Sequence, residues 1–331
     1  MSNKDKLLAG LILLAFIVLN SISYACDSVL QHPEAQHFID EMVSNDNFDR
    51  AYLEQVFSQA QLQPKIIEAM SHPAEGLPWH RYKQIFLTDK RIQQGVDFWN
   101  THQATLARAE EEYGVPAKTI VAIIGVETFY GKHQGTYRVI DALSTLAFDF
   151  PKRATFFRKE LREYLLMARE NQLDPLSFTG SYAGAFGQGQ FMPSSYRHYA
   201  VDFSGKHEKD LQHNTDDAIG SVANYLRKNG WQPQHPVTSH VNKGNPDQFK
   251  QASQHPTKPK TPLADLRLSI DDDVSTAEAA TLMEFAEQDQ NDYWVGYQNF
   301  YAITRYNPSL LYAMAVHQLG ESIEEARKQH A

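Results

Sequence analysis

The chain has 331 residues, 40 acidic against 31 basic, and a net charge of −9 with no basic cluster, a balance that disfavours nucleic acid as a partner. Its length allows two compact domains, or one large domain carrying an insertion. The single cysteine, Cys26, excludes an intramolecular disulfide, and 16 tyrosines supply rings suited to an extended groove.

The N-terminus reads as an export signal over residues 1–25. Lys4 and Lys6 form a positive start, residues 7–19 an apolar stretch too short for a spanning helix, and Ser23 and Ala25 the small residues of a cleavage site. The mature protein is thus expected in the periplasm. Cys26 follows directly, where a bacterial lipoprotein carries its acylated cysteine, although Ser23 and Tyr24 depart from the residues usual before it. Attachment to a membrane through a Cys26 lipid and a free terminal thiol both stay open.

Helical periodicity runs from Pro33 to Met70, with Phe38, Ile39, Met42 and Val43 and then Leu53, Val56 and Phe57 on one face. Residues 71–78, rich in Pro and Gly, break it, and a second helical run covers 89–113. Gly114 ends that run, and Pro116 suits the first turn of a helix that stops at Gly131. Further helices are expected at 141–147, 153–169, 216–228 and 309–328, with a loop at 174–195. Between 232 and 262 His, Gln, Pro and Lys dominate and the periodicity fades. Short alternating pieces at 266–270 and 293–297 suggest strands of a small, partly β insertion.

Glu127 is the most informative residue. Between Lys118 and Lys132 it is the only ionisable side chain apart from the phenol of Tyr130, set among Ile, Val and Phe. An apolar setting strips water from the carboxylate and raises its pKa, which gives a general acid of the kind glycosidic cleavage needs. A buried Glu held by a structural partner is the plainer reading. The loop 181–196 combines three glycines with amides, hydroxyls and aromatic rings, a composition suited to sugar, whereas neither the Gly-x-Gly-x-x-Gly nor the Walker pattern fits. Tyr306, Asn307 and Tyr312 form a third, weaker candidate. His80, His102 and His133 are scattered, no His-Glu-x-x-His pair occurs, and no Ser-His-Asp set stands out.

Taken together, six stretches in order resemble the membrane-bound lytic murein transglycosylase B family, glycoside hydrolase family 103. They are 79–82, 125–128, 150–154, 181–196, 217–225 and 303–312, and they cover nearly all of the mature chain. The resemblance implies a mainly α protein: a lysozyme-like core with an accessory helical region and a small β insertion. The implied segments are a 1–25 signal peptide, a 26–75 N-terminal helical region, a 76–231 lysozyme-like catalytic core, a 232–299 insertion and a 300–331 helical segment that completes the groove.

The implied reaction is cleavage of the β-1,4 bond between N-acetylmuramic acid (MurNAc) and N-acetylglucosamine (GlcNAc) in peptidoglycan. It ends in a 1,6-anhydromuramyl product with Glu127 as sole acid and base and no required cofactor. Ser181 and Gln190 should line the groove near Glu127, and Tyr82, Tyr225, Tyr306, Asn307 and Tyr312 should build its walls. Arg153 should meet the peptide stem or lactyl group; Lys152 beside it stands where the family usually has an arginine. Peptidoglycan glycan strands are the implied partner, with cell-wall synthases as candidates.

Two departures from the family pattern stand out. Gln188 replaces an aromatic residue. The stretch 202–217 stands where the best-known member of the family has a calcium loop, yet Lys206 falls among the candidate ligands Asp202, Ser204 and Asp217, so no metal is required. A hydrolytic muramidase on the same scaffold would need a second carboxylate, for which Asp141 and Asp149 are the nearby candidates. A non-catalytic peptidoglycan-binding protein is the alternative of another class.

Overall fold

The computed structural model describes residues 28–71, 76–244, 246–270 and 274–329. The export signal and Cys26 lie outside the described residues. Among those described, no helix is long and apolar enough to cross a membrane.

Three helices open the chain: α1 (Pro33–Asp46), α2 (Arg50–Gln59) and α3 (Pro64–Ala69). The turn between the first two uses Asn47 in the left-handed region, φ 55°, and Asp49 caps α2 by accepting from the Tyr52 N–H. Next come α4 (Trp79–Phe86), α5 (Asp89–Thr101) and α6 (Gln103–Tyr113). The run expected as one helix over 89–113 breaks at His102, whose φ of −111° leaves the helix while its ring packs 4.7 Å from Phe98.

Helix α7 (Ala117–Thr128) is apolar all round, so every face must be covered. It packs against α5, α6 and two later helices, and Thr119–Gly125 are all buried. Pro116 caps it from outside rather than sitting in its first turn. It ends sooner than Gly131, because Phe129, Tyr130 and Gly131 take left-handed φ values of 53°, 61° and 80° in succession. Two non-glycine residues there are strained and held by their surroundings.

A short ladder of β1 (Tyr137–Arg138) with β2 (Thr179–Gly180) brackets α8 (Val139–Asp149) and α9 (Ala154–Glu170). Phe38 and Phe57 of the opening helices meet Phe148 of α8 with centroids 6.0 and 6.5 Å apart, which docks that region onto the core. Then follow α10 (Pro193–Tyr199) and α11 (Thr215–Lys228), the latter capped by the Asn214 side chain.

An antiparallel five-stranded sheet comes next: β3 (Thr238–Lys243), β4 (Thr261–Pro262), β5 (Ser269–Ile270), β6 (Ala279–Ala286) and β7 (Asn291–Gly296), in the order β4-β6-β7-β3-β5. Short helices α12 (Pro246–Phe249) and α13 (Leu263–Leu266) interrupt it. Val241, Leu282, Val295 and Tyr297 form its own small core. Strand β6 runs against local preference because Ala, Leu, Met and Glu favour helix; pairing with β7 over residues 281–286 and with β4 at Ala279 and Ala280 decides otherwise. Phe285 of β6 packs 5.5 Å from Trp79 of α4, and Lys83 pairs with Glu287 at 2.5 Å, so the sheet is fastened to the core at one edge. Helices α14 (Gln298–Tyr306) and α15 (Leu310–Gln329) complete the chain, α15 lying along α7.

Candidate active site

Glu127 stands in the last turn of α7, held there by a chain of hydrogen bonds. The Thr128 hydroxyl donates to the Gln188 carbonyl at 2.7 Å and accepts from the Gly131 N–H at 2.9 Å. This ties the end of α7 to the glycine-rich loop. Gly125 has the Tyr130 ring in the place a Cβ would take, 2.7 Å from its ideal position, so only glycine allows the ring to fold back on α7.

The Glu127 carboxylate accepts one side-chain hydrogen bond, from the Tyr312 hydroxyl at 2.6 Å. Loss of hydration raises its pKa to about 7, although the Tyr312 bond pulls the other way. The residue itself remains partly exposed. Tyr312 is buried in the first turns of α15, and Tyr306 at the end of α14 stacks on it at 6.5 Å and 9°. The Tyr306 hydroxyl donates to the Gly189 carbonyl at 2.5 Å, and the Tyr225 hydroxyl of α11 donates to the Arg305 carbonyl at 2.5 Å. Tyr225 and Tyr306 meet edge to face at 4.7 Å. Three helices and the loop are thereby locked around one carboxylate.

A cleft of about 970 Å³ opens beside this cluster. Arg153, Tyr225, Tyr306 and Asn307 line it, and the Arg153 guanidinium lies 4.5 Å over the Phe156 ring. Glu127, Tyr82, Ser181, Gln190 and Tyr312 lie off its lining, and Glu127 meets the cleft through Tyr312, which stacks on the lining residue Tyr306. Tyr82 is buried between Trp79 and Phe86. The Ser181 hydroxyl accepts from the Ala185 N–H at 3.2 Å, and Gln190, with φ 48°, donates to the carbonyls of Gln134 and Gly187 at 3.0 and 3.1 Å. The last two shape the loop that carries Gln188 and Gly189.

The cleft also carries residues that the sequence reading passed over: Phe156, Tyr182, Arg305 and Glu160. Glu160 lies three residues after Phe157 and four before Tyr164, on the apolar face of α9, a signal that was available. Burial raises its pKa, and both oxygens are engaged by Ser194, from the N–H at 3.0 Å and the hydroxyl at 2.7 Å. Asp141 and Asp149 are elsewhere. Asp141 is buried, forms a two-pronged pair with Arg138 and accepts the Gln61 N–H; Asp149 pairs with His32.

In the stretch 202–217 the candidate calcium ligands are engaged by bonds within the loop. Asp202 Oδ1 accepts from Ser204 Oγ and the N–H groups of Gly205 and Lys206, and Oδ2 from His207. Buried Asp217 accepts from the N–H groups of Phe203, Ser204 and Asp210. These donors are neutral and leave the carboxylates charged, Lys206 adds a positive charge beside them in the sequence, and no group of three or more His, Cys, Asp or Glu among the described residues could hold a metal. The thermal midpoint should therefore stay the same when excess chelator is replaced by millimolar calcium; an upward shift with calcium would show a bound ion.

Residues 30–321 match the model of the transglycosylase SLT domain. Membrane-bound lytic murein transglycosylase B of Escherichia coli (strain K12) is 44% identical over 312 residues, 90% of this chain and 84% of its own. The soluble lytic transglycosylase SltB1 of Pseudomonas aeruginosa is 48% identical with a TM-score of 0.84, covering 89% of this chain and all (100%) of that one. The E. coli lytic transglycosylase Slt35, solved in complex with calcium, is 43% identical with a TM-score of 0.82, covering 90% and 95%. SltB3 of P. aeruginosa, solved in complex with NAG-anhNAM-pentapeptide, is 30% identical with a TM-score of 0.80, covering 90% and 80%. On these matches the chain belongs to the membrane-bound lytic murein transglycosylase B family, within the transglycosylase SLT domain proteins.

Proposed function

We propose that this protein cleaves the MurNAc–GlcNAc β-1,4 bond of peptidoglycan with Glu127 as sole acid and base, leaving a 1,6-anhydromuramyl end. The observation that carries the reading is the Glu127–Tyr312 pair: a carboxylate whose pKa is raised to about 7, at the end of an apolar helix, held by one neutral donor. Protonated Glu127 gives its proton to the glycosidic oxygen as the C1–O4 bond breaks. The muramyl 6-hydroxyl oxygen then bonds to C1, and its proton passes to the carboxylate. Glu127 ends as it began, and no water is consumed. A pKa near neutrality suits both halves of that cycle.

Because the nucleophile belongs to the substrate, the reaction needs no second protein carboxylate. Two observations agree with this. Asp141 and Asp149 are committed to structural partners, and both oxygens of Glu160 are taken by Ser194. The complex of the SltB3 relative with NAG-anhNAM-pentapeptide supports the same product class. Tyr225, Tyr306, Asn307 and Arg153 are the proposed groove residues, while Ser181 and Gln190 shape the loop and Tyr82 backs the wall. The export signal and Cys26 place the reaction outside the cytoplasm on this reading, on murein strands.

Digestion of purified peptidoglycan followed by mass spectrometry of the muropeptides tests it. The expected products are lighter than hydrolytic ones by one water. Reducing muramic ends would mean a hydrolase and would return attention to Glu160.

A further inference from the structure

We infer that Glu284, on the edge of the small sheet, is a specificity residue that pairs with the free amine of the peptidoglycan stem peptide. The inference rests on the cleft being the murein groove. One wall of that cleft comes from the sheet: Gln254, His255, Pro256, Glu284 and Ala286 line it together with Tyr225 and Tyr306. The Lys83–Glu287 pair at 2.5 Å and the Trp79–Phe285 contact at 5.5 Å fasten this edge to the core.

The glycan alone does not account for the charges found there. A strand whose lactyl groups are amide-linked to peptide carries no formal charge on its sugars, yet the cleft presents Arg153 and Arg305 together with Glu284. Glu284 accepts from the Gln254 side-chain amide at 2.9 Å and from that of Asn291. Both partners are neutral amides, so neither balances the charge of a carboxylate at the cleft wall. A ligand that matches has carboxylates for the arginines and an ammonium for Glu284. The stem peptide has both, since its cross-links form through an amine.

The test uses soluble, peptide-bearing glycan strands, prepared with their amines free or chemically acetylated. The sugars are the same in both. The wild-type protein should lose about twofold to fivefold in kcat/KM on acetylation, the range of a partly exposed ion pair. Glu284→Gln should cleave the two substrates equally well. Gln254→Ala, at an exposed position, removes the amide that orients Glu284 and should shrink the discrimination even if Glu284→Gln does not fold. Wild-type kinetics insensitive to acetylation, or equal sensitivity in wild type and both variants, would overturn the assignment. Failure of the wild type to cleave either substrate would instead overturn the functional reading itself.

Discussion

Glu127→Gln should lower the rate of murein cleavage by about a thousandfold or more, while binding to insoluble murein stays intact. Glutamine has the size of glutamate and still accepts from Tyr312, so the cluster of tyrosines keeps its shape. It has no proton to give and no basic oxygen to take one. General acid–base catalysis is typically worth about a hundredfold to ten-thousandfold, and here one group serves twice. A co-sedimentation assay beside the muropeptide assay separates binding from chemistry. Lysis retained by the variant would sink the mechanism, and a loss of binding equal to the loss of rate would point to a recognition role instead.

The same variant should be more stable than the wild type, in a way that depends on pH. Glu127 in the folded protein has its pKa raised from 4.5 to about 7 by burial. Below 4.5 the group is protonated both folded and unfolded and contributes no difference. Between 4.5 and about 7 the unfolded chain has released the proton that the folded one still holds, so wild-type stability falls as pH rises. Above that window both states are ionised and the deficit levels off, at most at about 3 kcal/mol. Glutamine carries no such penalty. Melting curves of the two proteins should therefore coincide in mild acid and diverge toward neutral pH.

Much of this architecture could be read from the chain, and the exceptions share a cause. The apolar run around Glu127 and the glycine-rich stretch are local patterns, and a helix and a loop form there. Helix boundaries failed where a tertiary contact overrules the local preference. His102 breaks a helix to pack on Phe98, and Phe129 and Tyr130 are driven into the left-handed region so that Tyr130 can lie on Gly125. Strand β6 carries helix-forming residues and is a strand because β7 and β4 pair with it. The edge of the cleft formed by Gln254 and Glu284 was unreadable for the same reason. It joins residues 30 apart, and nothing in the sequence brings them to α4 until Phe285 and Glu287 dock there.

Tyr312→Phe should move the alkaline limb of the kcat/KM profile to higher pH and lower the plateau by about tenfold. In the free enzyme this limb reports ionisation of the group that must be protonated to act. Burial raises the Glu127 pKa to about 7, and the hydrogen bond from Tyr312 opposes that rise by favouring the charged form. Without the hydroxyl, desolvation acts unopposed. The proton is held more tightly, and the active form persists further into alkali. The rate still falls, because a carboxyl without its one side-chain partner is no longer aimed at the glycosidic oxygen. Tyr306→Phe is the control. Its hydroxyl donates to the Gly189 carbonyl and not to Glu127, so its loss should weaken the groove wall and leave the limb where it was. If both variants lowered the rate with no movement of the limb, Tyr312 would be a packing residue only. A limb that moves in Tyr312→Phe alone ties the ionisation seen in the kinetics to the carboxyl that Tyr312 touches, and so identifies Glu127 as the acid without removing it.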